Sequence, residues 1–167
     1  MQSEREGAKE LASLLSISYL NASRALKWIN DKVFPLRKEG REVLLYLPEY
    51  KETLDLFKPH LRSPVLKTIH TEESLENVDG IFCGEYALEQ QSMLVANGVS
   101  KAVEKGRKVT LTEDANAFNS IEFWAYNPKN LAKNGLCDKI SLILSLEANE
   151  DGRVQMELEK IKEELKW

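Results

Sequence analysis

The sequence holds neither a G-x-G-x-x-G nor a G-x-x-x-x-G-K-[ST] segment, so the glycine loops that cradle dinucleotide and nucleoside-triphosphate phosphates are missing. It has only two cysteines, Cys83 and Cys137, neither in a Cys-x-x-Cys pair, which is too few for a disulfide scaffold. Long hydrophobic runs are lacking too: VLLYL at 43–47 falls far short of the roughly 20 residues that span a bilayer. The start, MQSEREGAKE, has no apolar stretch of the signal-peptide kind, so the expectation is a cytoplasmic protein with reduced thiols. No charge of one sign runs in a block, and the net charge of −4 comes from 23 Lys and Arg against 27 Asp and Glu. That balance predicts no nucleic acid and no membrane as partner. No internal repeat or low-complexity tract is present.

What is there suits a globular chain: 43% hydrophobic and 30% charged in 167 residues. One α/β domain over 1–167 is expected, with a helical segment over 1–36, a parallel-sheet core over 41–147 and a helix or hairpin strand over 148–167. Leu11, Leu14, Leu15, Leu26, Ile29 and Val33 carry helical spacing over 8–34, with Asn21 or Ser23 as a cap for a second helix. EVLLYL at 42–47 reads as a doubly buried strand, followed by a helix opened by Pro48. VLKTIH at 65–70, GIFC at 80–83, RKVTLT at 107–112 and KISLILSL at 139–146 read as further strands. A long helix is predicted over 85–105, from Leu88, Val95, Val99 and Ala102, and the aromatics of 118–126 read as an irregular stretch. Strands separated by helices predict a Rossmann-like three-layer sandwich around a mostly parallel five-stranded sheet.

In such a sheet ligands bind beyond the carboxyl ends of the strands. The candidate catalytic residues are therefore Cys83, Glu85, His70 and Asp114, and the candidate ligand-binding residues are Glu49, Gly84, Glu113 and Asn116. Cys83 reads as a nucleophile or as a small buried hydrophobe, and Glu85 beside it raises rather than lowers a thiol pKa. His70 reads as a base or as a solvated strand end. The acids suit an amine or a basic partner surface, or only the first turns of helices. His70, Cys83, Glu85 and Asp114 are donors zinc accepts, but no local ligand spacing supports a metal, and none is predicted.

VLLYLPEYKETLDLF, VDGIFCGEYALE and KVTLTEDANAFNSIEFWAYNP together resemble the C-terminal domain of two related groups, the regulatory subunits of translation initiation factor two-B and the methylthioribose-phosphate isomerases. Val78, Asp79 and Gly84 match one strand-to-helix pattern of that family, and Val109, Glu113 and Phe118 match a second. The resemblance covers about residues 37–127 and implies a Rossmann-like fold. The isomerases' catalytic Asp falls at Tyr86, their catalytic cysteine falls at Pro48 and Glu49, and their N-K-I-G-T segment has no counterpart in QQSMLVANGVS. The resemblance thus implies a shortened relative without the isomerase apparatus.

Missing phosphate loops and missing isomerase positions favour a non-catalytic module that binds a small molecule or a protein partner and needs no cofactor. The alternative is a small isomerase- or hydrolase-like enzyme around Cys83, Glu85, His70 and Asp114. A homo-oligomer joined through residues 1–36 is a third reading.

Overall fold

The helical start divides at Ser16, whose φ of 53° is left-handed and cannot sit inside a continuous α-helix. Helix α1 (Ala8–Leu14) precedes it, and helix α2 (Tyr19–Lys32) follows. The cap of α2 is Ser18, whose hydroxyl accepts from the Asn21 N–H at 3.2 Å; Asn21 and Ser23 lie within the helix. Strands β1 (Arg37–Glu39) and β2 (Glu42–Leu44) form an antiparallel hairpin, with Glu39 opposite Glu42 and Gly40 at φ 63° in the two-residue turn. Helix α3 (Tyr50–Phe57) and a 3-10 turn (Lys58–His60) follow. This first unit has its own core, in which Leu26, Leu36 and Leu45 meet Leu11, Ile29 and Val43. These elements come from a computed structural model that describes residues 7–47 and 50–165. A second unit begins at Arg62 and runs to Leu165.

The second unit is built on four strands: β3 (Val65–Thr71), β4 (Ile81–Phe82), β5 (Ser100–Glu104) and β6 (Asn119–Trp124). Their order is β3-β6-β5-β4. Only β5 and β6 run parallel; β3 is antiparallel to β6 and β4 to β5. Three helices cover one face: α4 (Gly84–Glu89), α5 (Lys139–Leu146) and α6 (Gly152–Glu164). Leu88, Leu142 and Leu158 from these helices bury Ile81, Ala102 and Trp124 of the sheet. Among the described residues of this unit, no helix packs on the opposite face. Leu75, Val109 and Leu111 from two loops close over Ile69, Val103 and Ile121.

The predicted sandwich with a mostly parallel five-stranded sheet is therefore overturned: the sheet is mixed, has four strands and one parallel pair, and a separate hairpin stands in the first unit. Each departure has a local cause. EVLLYL supplies only β2, because its apolar side chains serve the small core around Leu26. The helix expected over 85–105 ends at Glu89, where Ser92 Oγ donates to the Leu88 carbonyl and turns the chain out. Ser100–Glu104 then forms β5, its alternation hidden beneath a coincidental helical spacing. RKVTLT follows Gly106 at φ 82° and lies over the sheet as loop, half-burying Val109 and Leu111. KISLILSL is helix α5, because the Asp138 carboxylate caps the Ser141 N–H at 3.0 Å. The stretch around Phe123 and Trp124, expected to be irregular, is the strand β6. Of the two readings for the chain end, helix is the one realised, as α6.

Gly98 ties the entries of β5 and β6 together. A Cβ there would lie 2.4 Å from the Phe118 carbonyl oxygen, against backbone that cannot swing aside. Gly98→Ala should cost about 1–3 kcal/mol and lower the melting temperature by several degrees; an unchanged melting temperature would contradict this close approach.

Candidate functional site

Residues directly opposite one another in neighbouring strands share a face, and one such row crosses the whole helix-covered face. His70 stands opposite Ser120, Ser120 opposite Ser100, and the Cys83 N–H donates to the Ser100 carbonyl at 3.0 Å. The two serine hydroxyls share a hydrogen bond of 2.8 Å. In the next row Glu122 lies opposite Thr68 on one side and Ala102 on the other. Cys83 is fully buried, Ser120 and Glu122 are nearly so, and the rows meet solvent at His70 and Thr68.

Glu122 is the chemically unusual group. Its carboxylate accepts from Trp124 Nε1 at 2.8 Å and from the Cys83 thiol, with no ion pair to it among the described residues. Burial raises its pKa, and the two donors offset that only in part. Gly84, at φ 58°, closes the site: a Cβ there would sit 3.3 Å from Ser100 and 3.5 Å from Glu122 Oε1. Burial, and then the neighbouring Glu122 charge, push the Cys83 thiol well above its usual range. Burial and Asp138 push Cys137 up to about 12. Both thiols are held protonated, which opposes nucleophilic chemistry.

Of the predicted site residues, Glu49 lies outside the described residues. His70 and Asp114 are brought together, the Asp114 N–H donating to the His70 carbonyl at 2.9 Å. Glu113 forms an exposed ion pair with Lys67 at 3.3 Å, and Asn116 donates its N–H to Asp114 Oδ1 at 2.9 Å. Both bonds shape the loop between β5 and β6. Cys83 and Gly84 lie on the far side of β5 from His70, and Glu85 turns to Asn149, which donates to it at 3.0 Å. Among the described residues, His70, Cys83, Glu85 and Asp114 included, no group of three His, Cys, Asp or Glu side chains is placed to hold a metal ion. Glu122, Ser100 and Ser120 were not anticipated. The signal was present in the alternation of Ser120, Glu122 and Trp124 with Ile121 and Phe123.

The opposite face carries an open cleft of about 390 Å³ between the loop after β3 and the loop after β5. Asp79 holds its two walls together, pairing with Arg107 at 2.8 Å and with Lys129. These cations keep the Asp79 carboxyl below its usual range, Lys129 contributing most. Glu73 braces the other end by accepting from the Thr112 N–H at 2.7 Å, while its carbonyl accepts from Asn119. Ser74, Asn77, Lys108 and Thr110 also line the cleft, and Lys108 joins none of the ion pairs seen among the described residues. The cleft floor is Val103, at the back of the sheet.

Searches against protein-family models, curated proteins and solved structures returned no match for this chain.

Two measurements follow from the buried groups. Glu122 binds its proton more tightly folded than unfolded, so its contribution to stability is present below the ordinary carboxylate range and is lost as pH rises through its raised folded pKa. Glu122→Gln should therefore gain in melting temperature relative to the parent as pH rises above the ordinary carboxylate range; a difference independent of pH would reject the raised pKa. In the native protein Cys83 should react with iodoacetamide no faster than Cys137, and both should react freely in denaturant. Rapid native labelling of Cys83 would overturn the sealed site.

Proposed function

We propose that the chain is a non-catalytic binding module whose second unit takes a small polar ligand in the cleft between the loops that follow β3 and β5. One observation carries this reading: the cleft joins braced walls to an unpaired cation, Lys108, and to the hydrogen-bonding side chains Asn77 and Thr110. Pre-braced walls lower the ordering cost of binding, since Arg107, Lys129 and Glu73 are already held before a ligand arrives. Lys108 suits an acidic group on the ligand, and Asn77 and Thr110 suit its polar remainder. The small-enzyme alternative has less support, because Cys83 is buried and its thiol is disfavoured as a thiolate.

A thermal-shift panel of small metabolites tests the reading. A ligand at about 100 times its Kd adds about 2.7 kcal/mol of stability, seen as a rise of several degrees. Lys108→Ala and Asn77→Ala, both on exposed loop positions, should shrink that rise. A panel without any shift, or a shift that both variants keep in full, would count against the cleft.

A further inference from the structure

The first unit offers a surface of a different kind. Its helices α1 and α2 are joined by the four residues Leu15–Ser18, with Ser16 in the left-handed conformation, and the β1–β2 hairpin follows α2 directly. Two helices joined by a short turn also occur in DNA-binding helix-turn-helix units, whose second helix enters the major groove. Here α1 and the hairpin hold the inner face of α2 through Leu11, Leu26, Ile29 and Val43. The outer face carries Asn21, Arg24 and Lys27, all exposed at helical spacing, together with exposed Trp28 and Asp31. Tyr19 and Leu20, at 63% and 56% exposed, stand at the amino end of the helix, the end that meets base edges in such complexes.

Charge selects the partner. From Arg24 to Leu44, through the helix and the hairpin, the sequence carries six basic residues (Arg24, Lys27, Lys32, Arg37, Lys38, Arg41) against three acidic ones (Asp31, Glu39, Glu42). The rest of the chain carries 17 basic against 24 acidic residues, so the helix and hairpin hold a local excess of positive charge. None of Arg24, Lys27, Lys32, Lys38 and Arg41 is tied up in an ion pair among the described residues. Free cations on an exposed helix and an adjoining hairpin tip are the groups that contact the phosphates of a duplex. We propose that this face binds duplex DNA, with α2 in the major groove, Asn21 and Arg24 toward the base edges, and Lys27, Lys38 and Arg41 on the phosphates. It is independent of the ligand cleft.

Fluorescence anisotropy of the full chain with a labelled random-sequence duplex tests this directly. Micromolar binding is expected at about 50 mM salt, weakening about a hundredfold by about 200 mM if about four phosphates are contacted. Arg24→Ala with Lys27→Ala, and separately Lys38→Ala with Arg41→Ala, should each weaken binding about tenfold or more while leaving the circular dichroism spectrum unchanged. Lys160→Ala with Lys162→Ala, on α6, is the control and should bind as the parent does. The proposal is overturned by absence of binding at low salt, by parental affinity in both test variants, or by an equal loss in the control. It is overturned as well if vesicles containing phosphatidylserine are bound through the same residues while the duplex is not.

Discussion

Strand β6 is bonded along both edges, antiparallel to β3 and parallel to β5, and the rest of the second unit depends on that double pairing. Alternation along six residues sends Ser120, Glu122 and Trp124 toward the helices, and Ile121 and Phe123 toward the loops. A slip of one residue would exchange these sets, placing Trp124 beneath loops and Ile121 against Cys83. Trp124 is wholly buried, and its indole N–H has one acceptor, Glu122. Register and core are thus linked, because a one-residue slip would carry the indole, with the Glu122 that satisfies its donor from the same strand, out of the helix-covered layer.

That constraint explains why some elements could be read from the sequence and others could not. Helices α2, α3 and α6 and strand β3 are legible, because their apolar spacing matches the face they bury. β5 was concealed because Val95, Val99 and Ala102 also fit a helix, although Asn97-Gly98 is a local turn signal within that spacing. α5 presents the reverse case: ISLILSL alternates like a strand, and the decisive signal is a cap one residue before it, Asp138. A mixed sheet is itself hard to foresee, since strand direction is decided by loops such as 105–118, which cross the sheet without a helix. The site suffered accordingly. Pairing His70 with Asp114 needs a backbone bond between β3 and that loop, and Glu122 becomes a buried acid only once its strand is central.

A buried carboxylate is costly, and the two donors that reach Glu122 account for its being tolerated. The Cys83 thiol is a weak donor, so its bond recovers little. Trp124 contributes more, and it is itself held by the core. The same polarity that makes the row look like chemistry therefore follows from satisfying one indole inside an apolar layer. Such a group specifies register at some loss of stability. The open cleft, with no comparable structural task for Lys108 or Asn77, is the stronger place to look for a ligand.

Net charge is a poor guide to partners in a chain whose units differ. At physiological ionic strength, charges more than about 8–10 Å apart are largely screened from one another. A duplex laid against α2 and the β1–β2 hairpin would sense first the charges of that helix and hairpin, Arg24, Lys27, Lys38 and Arg41 among them. The total of −4 therefore averages two different surfaces, and it is the local excess over residues 24–44 that decides whether phosphates are attracted. Divided at Leu61, residues 1–61 carry 10 basic against 9 acidic residues while the remainder holds the acidic excess, and within the first unit the basic residues gather on α2 and the hairpin.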